Sequence, residues 1–176
     1  IGQPAILSPF EVTVAEFDRT YLARSRDQRP SFPPANSSLQ AQYSGTAHFE
    51  QLNRAGSNAD LELMAEFNIH AIVSGRSSNI SGSFTNFVAN RSLSYSGSLE
   101  IVEGKFDLSS NSNAEFHYAG RLSGQLDVDG NTVVQVTGGL NGDLLGDNYQ
   151  HTLGDALIVI SQSSGATQLH GRFVSR

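Results

Sequence analysis

The chain has no cysteine. That removes disulfides, thiolate metal sites and cysteine nucleophiles together, and leaves the compartment open. Charge is sparse: 16% of the residues are Asp, Glu, Lys or Arg, with a formal net charge of -6. The one basic cluster is Arg19, Arg24, Arg26 and Arg29, in a single short segment. Neutralising a nucleic-acid backbone needs a wider Lys/Arg face, so no nucleic acid is expected as a partner. No apolar run approaches the roughly 20 residues of a membrane-spanning helix. No signal-peptide pattern is visible. The chain starts at Ile1 without Met, which suggests a mature or trimmed product, with a lost leader or a lipid anchor upstream of Ile1 left open. Catalytic patterns are missing too. There is no H-x-x-x-H or H-E-x-x-H among the five histidines and no G-x-S-x-G elbow. The carboxylates are scattered, so an enzyme is not expected.

What remains is rich in Ser, Asn and Gly, with 38% hydrophobic residues over a length of 176. That length suits one domain with a real core, and the composition suits an extracellular or cell-surface β-protein. Residues 1–42 stand apart. Ser8-Pro9-Phe10-Glu11 is a helix start, with Ser as N-cap, Pro in the first turn and Glu three residues on. Phe10, Val14, Phe17 and Tyr21 then share one helical face. A helix from about Pro9 to Arg24 is expected, covering one end or side of the domain. The run Arg29-Pro30-Ser31-Phe32-Pro33-Pro34 cannot continue it and reads as an extended arm.

From Tyr43 to Arg176 the period switches to two. Tyr43, Gly45, Ala47 and Phe49 alternate with polar residues, as do Leu61 to Ala71, Ile80 to Phe84, Leu93 to Ile101, Phe116 to Leu126 and Val134 to Gly142. Two further strands, about Asp155 to Ser161 and Thr167 to Val174, complete eight with hairpin-length links. Eight antiparallel strands with one apolar face close most simply into an up-and-down β-barrel, removing exposed edges. Gly45, Gly82, Gly97, Gly120, Gly124, Gly138 and Gly171 lie on the apolar parity, where a crowded interior needs bends and room. The outward face is Ser, Asn, Thr and Glu, so the barrel is not expected to be transmembrane. The reading is all-β, with an N-terminal helix and arm over 1–42 and an eight-stranded antiparallel barrel over 43–176.

The stretch Gly138–Gly154, GGLNGDLLGDNYQHTLG, concentrates glycine before the apolar run Ala156–Ile160. Asp143 to Thr152 is expected as its loop. Tyr43-Ser44-Gly45-Thr46-Ala47, the turn segment Gly142–Asp147, the glycine step Leu153-Gly154-Asp155 and the closing strand His170-Gly171-Arg172-Phe173 together resemble the C-terminal β-barrel of transferrin-binding protein B. Related bacterial surface lipoproteins and secreted hemophores share that barrel. The resemblance covers about Tyr43 to Arg176. Leu144 and Leu145 stand where that family has aromatics, Asp147 where it has Pro, and no handle domain is recognisable. The resemblance implies a protein at the extracellular or outer-membrane surface of a bacterium, in iron acquisition, binding a host or surface protein, or heme, through loops at one barrel end. No cofactor is required, and heme is the one the resemblance allows. The family's binding residues lie outside the matched motif, so none is carried over.

Candidate ligands come from residue type. Tyr149 and His151 share a parity in the loop and suit heme-iron ligation. His117 and Tyr118 suit it by type but face opposite ways, so they read as a core Tyr beside a surface His. His48 and His70 have outward parity. A hairpin turning near Ser57 sets His48 opposite Glu66 and Glu50 opposite Met64, a weak His/Glu metal patch or, more simply, solvated side chains with cross-strand attraction. Asp127-Val128-Asp129-Gly130-Asn131 looks like the start of a calcium loop but lacks the later Glu, and Asp-Gly in a hairpin explains it. Glu103-Gly104-Lys105 reads as a turn. Asn36, Asn79 and Asn90 sit in N-x-S sequons, relevant only in a eukaryotic secreted protein. Two other readings are carried: a structural or adhesive module without a small ligand, and a lipocalin-like carrier, which a core filled by Phe49, Phe67, Phe84 and Phe116 would exclude.

Overall fold

The computed structural model describes residues 8–30, 38–51, 60–74, 77–107 and 116–176. Helix α1 spans Pro9–Arg24, as its cap and spacing predict. The Glu11 N–H donates to Ser8 Oγ and the Ser8 N–H donates to the Glu11 carboxylate, a complete capping box. Eight strands follow: β1 (Ser38–Gln51), β2 (Glu62–Ser74), β3 (Ser77–Ala89), β4 (Tyr95–Phe106), β5 (Tyr118–Val128), β6 (Thr132–Leu145), β7 (His151–Gln162) and β8 (Gly165–Ser175). Each pairs antiparallel with the next, and β8 pairs with β1, so the barrel is closed with up-and-down topology. Asp129 and Gly130 take φ of 56° and 69° in the β5–β6 hairpin, the primed turn that Asp-Gly favours.

Several boundaries move from their sequence positions. β1 begins at Ser38 rather than Tyr43, because Leu39 and Ala41 extend the inward parity and pack on the core. The β1–β2 register differs by two residues from the expected one: His48 faces Met64 and Glu50 faces Glu62, not Glu66 and Met64. Gly45 lies opposite Phe67, and a Cβ there would meet first the Val174 carbonyl and Ser175 Cα of β8 and then Phe67 Cε1, so the glycine lets the neighbouring β8 backbone and the ring both come close. The turn expected at Ala55–Asn58 lies outside the described residues, as do the Ser110–Asn113 turn, Asn36 and the arm beyond Pro30.

Two positions, one of them in the expected turn Glu103-Gly104-Lys105, are β-bulges. Asn86 has φ 54° and Glu103 has φ 56°. Each coincides with a register shift, between Met64 and Glu66 on the strand facing Asn86 and between Val102 and Lys105 within β4. A bulge adds one residue and reverses the parity beyond it. Inward positions therefore run Ile80, Phe84, then Phe87, and Leu99, Ile101, then Gly104 and Phe106. Glu103-Gly104-Lys105 is thus an interior bulge of β4, not a turn. Phe116, expected at the head of β5, precedes that strand and is only half-buried.

Aromatic rings fill the barrel at mid-height. Phe84 stands 5.9 Å from Phe49, 5.9 Å from Phe67 and 6.0 Å from Phe173, and Phe67 and Phe173 are 5.4 Å apart. Edge-on pairs at these distances add to the stabilisation that area burial gives. α1 lies outside, across the outward faces of β1, β2, β7 and β8. Its Phe17, only 2% exposed, packs with Met64 and Val174, flanked by Phe10, Val14, Tyr21 and Leu153. Arg172 on β8 closes this seam: its guanidinium bonds Asp18 at 3.0 Å and lies 5.7 Å and 5.2 Å from the Phe17 and Tyr21 rings. His48, expected in solvent, is buried by this helix. No described helix is long and apolar enough to cross a membrane.

Candidate functional site

Up-and-down topology gathers the C-terminal ends of β2, β4, β6 and β8 and the N-terminal ends of β1, β3, β5 and β7 at one rim, which the segment after α1 also reaches. The glycine-rich stretch contributes less loop than expected. β6 continues through Leu145 and β7 begins at His151, leaving Gly146–Gln150 as the connection. Leu144 pairs with Thr152 and Leu145 with His151. Both leucines are buried, at 1% and 4% exposed. Their burial is why the ladder continues where a glycine-rich turn was expected.

The rim is tied by a polar knot. His117, expected at the surface, is 2% exposed, because the segment after α1 covers it. Its Nδ1 accepts the Leu144 N–H at 2.9 Å. Its Nε2 lies 3.2 Å from the Pro30 carbonyl oxygen. Since Nδ1 is the acceptor, Nε2 carries the proton and donates to Pro30, which defines a neutral tautomer. Burial holds the imidazole below its usual pKa. Asp143 opposes that effect, Arg29 reinforces it and the Pro30 carbonyl opposes it. Asp143 Oδ1 accepts the His117 main-chain N–H at 3.0 Å and pairs with Arg29 Nη2 at 2.9 Å. The Gly146 N–H donates to the Gln28 carbonyl at 2.9 Å. Gln28, Arg29 and Pro30 are therefore each fastened to the β5–β7 rim.

Beneath the knot, Thr152 Oγ1 donates to the Asp143 carbonyl at 2.8 Å, which makes the Tyr118 hydroxyl the donor to Thr152 Oγ1 at 2.6 Å. The Thr152 N–H donates to Ser175 Oγ at 2.9 Å. Burial pushes the Tyr118 phenol well above its ordinary range. Tyr43 is raised to about 12 by the same cause, and its hydroxyl donates to the Tyr149 carbonyl at 2.6 Å. Every one of these polar groups is spent on main chain or on another member of the chain Tyr118–Thr152–Asp143. An imidazole engaged at both nitrogens with main-chain groups positions the backbone rather than serving as a general base.

Tyr149 within the turn and His151 at the start of β7 stand on different faces. Tyr149 sits in the turn with φ 55°, its N–H bonded to the Gly146 carbonyl, and packs partly against the barrel core. Burial raises its phenol pKa. His151 has the outward parity of β7, with Thr152 inward after it. It is half-buried, and its Nδ1 is buried without a hydrogen-bond partner among the described residues. The knot of His117, Asp143 and Arg29 was not foreseen. The spacings between these residues carry no pattern, and only the isolated basic segment hinted that Arg29 seeks an acid. Comparison with protein-family profiles, curated proteins and solved structures finds no match to this chain.

Proposed function

We propose that this chain is a non-enzymatic binding protein of a bacterial surface or the extracellular space, in iron or heme acquisition. It engages its partner with the rim that carries the Gly146–Gln150 turn. The observation that carries this reading is Tyr149. An aromatic residue in the left-handed region is a genuine backbone outlier, costing on the order of 1 kcal/mol, and such strain concentrates at functional positions. Here it is held by the Tyr43 hydroxyl below and the Gly146 carbonyl behind, which leaves part of the ring outside the core. The interior offers less. Four phenylalanines, packed mostly edge-to-face, occupy the space where a lipocalin-like carrier keeps its ligand. The filled interior suits the structural or adhesive module equally, and partner capture separates the two.

Because Tyr149 and His151 lie on different faces, a heme at this rim takes one of them as axial ligand instead of being clamped between both. Hemin titration of the protein, followed in the Soret region, gives a saturable band that Tyr149→Phe or His151→Ala removes. Capture of a host serum protein by the immobilised chain, lost when Gly146–Gln150 is replaced by Asn-Gly, supports a protein partner. A chain that gives neither a hemin band nor a captured protein overturns the binding reading.

A further inference from the structure

The geometry points to a divalent-metal site on the outer face of β1 and β2, in which His48, Glu50 and Glu62 bind a transition-metal ion of the zinc class. It lies toward the rim opposite the Tyr149 turn and is independent of the proposed binding role. One ligand atom from each residue falls within 4.8 Å of the others. His48 Nε2 and Glu62 Oε2 are 3.1 Å apart. Two ligands at zinc distances, cis or tetrahedral about one ion, stand about 3.0–3.4 Å apart. The two side chains share a hydrogen bond, and an ion that takes the place of its proton finds the pair already spaced as ligands.

The carboxylates give the second reason. Glu50 and Glu62 are direct cross-strand partners. Like charges in that position destabilise a sheet, and a cation between them turns the repulsion into attraction. Among the described residues, the basic side chains opposite His48 and Glu50 are committed elsewhere. Arg172, opposite His48, bonds Asp18 and lies over Phe17 and Tyr21. His170, opposite Glu50, has Nε2 3.6 Å from Asp155.

The third reason is His48 itself. Its ring is 2% exposed, held edge-on by Phe10 at 6.5 Å and Phe17 at 5.8 Å, and its Nδ1 is buried with no partner among the described residues. Its Nε2 is the nitrogen turned toward Glu62, so the ring presents that atom to an ion while Nδ1 stays inside the seam. As a ligand it is preorganised, because packing fixes its rotamer. Glu50 is exposed and Glu62 half-exposed, so the coordination sphere opens to water as a three-ligand site does. A groove of about 590 Å³ beside α1 reaches Glu62 and is lined also by Glu11 and Asp18, with no Lys or Arg among the described residues that line it. Such an acidic cleft concentrates cations.

The test is Zn2+ titration of the chelator-treated full chain by calorimetry, with thermal unfolding in parallel. Expected are one Zn2+ per chain and a rise in Tm on binding. Loss of an outer-shell partner already lowers metal affinity about 10–100-fold, so Glu50→Gln and Glu62→Gln each weaken binding at least tenfold. Without metal, Glu50→Gln unfolds no earlier than the parent, since it removes repulsion. These two surface variants carry the test, because His48→Ala also opens the helix seam. No saturable heat with Zn2+, Co2+ or Ni2+ overturns the site. So does undiminished affinity in both glutamate variants, or loss of binding in His170→Ala alone, which assigns the ion to His170 and Asp155.

Discussion

A Cβ added at Gly142 lies 2.3 Å from Cζ and from the hydroxyl oxygen of Tyr118. The ring has nowhere to retreat, since its hydroxyl is tied to Thr152 and Phe106 packs edge-on at 5.8 Å. Gly142→Ala is therefore expected to cost about 1–3 kcal/mol in urea unfolding. His117 makes stability depend on pH. Its folded pKa is depressed, chiefly by burial, so the unfolded chain binds the proton more readily. The contribution is complete above the unfolded value of about 6.5 and is lost as pH falls below it toward the folded value. Unfolding midpoints of the parent and of His117→Asn, compared at pH 7.5 and 5.5, are expected to converge at the lower pH. A constant gap disproves the protonation argument. Residues of this kind were the least legible in the sequence. His117 looked outward by parity, and it does face outward. What buries it is Gln28–Pro30, brought across from a distant part of the chain.

At the scale of elements, local signals were read well and insertions poorly. α1 was legible to the residue because its cap, its proline and its apolar spacing all lie within the segment. Strand existence was legible from alternation. The bulges were not, because one extra residue changes no composition and shifts the pattern only beyond it. Glu103 shows the physical cost. Its φ of 56° suits glycine and strains a side chain, most of all a β-branched one. Glu103→Gly is expected to leave stability unchanged or raise it by up to about 1 kcal/mol, and Glu103→Val to lower it by at least that much. The exposed contact to Arg121 at 3.4 Å adds little to this balance. Phe17→Ala removes the centre of the seam between α1 and the barrel. It is expected to cost about 3 kcal/mol and to expose the segment after Arg24 to limited proteolysis while the sheet signal in circular dichroism persists.

For the whole molecule, eight strands with a period of two left closure as the simplest way to remove two edges, and β1–β8 pairing provides it. The β1–β2 register was beyond the sequence, since either register keeps every apolar residue inside. Closure joins the first strand to the last, the most distant pairing the fold contains. Refolding is accordingly expected on the slow side, milliseconds to seconds by stopped-flow fluorescence of the tyrosines. Fastening of Gln28–Pro30 at one rim has a directional outcome. Ser8, at the other end of α1, borders the same groove as Glu62 and Asn90, near the opposite rim. The helix thus works as a rigid strut down the barrel wall. Ser8 and the Tyr149 turn therefore lie toward opposite ends of the barrel.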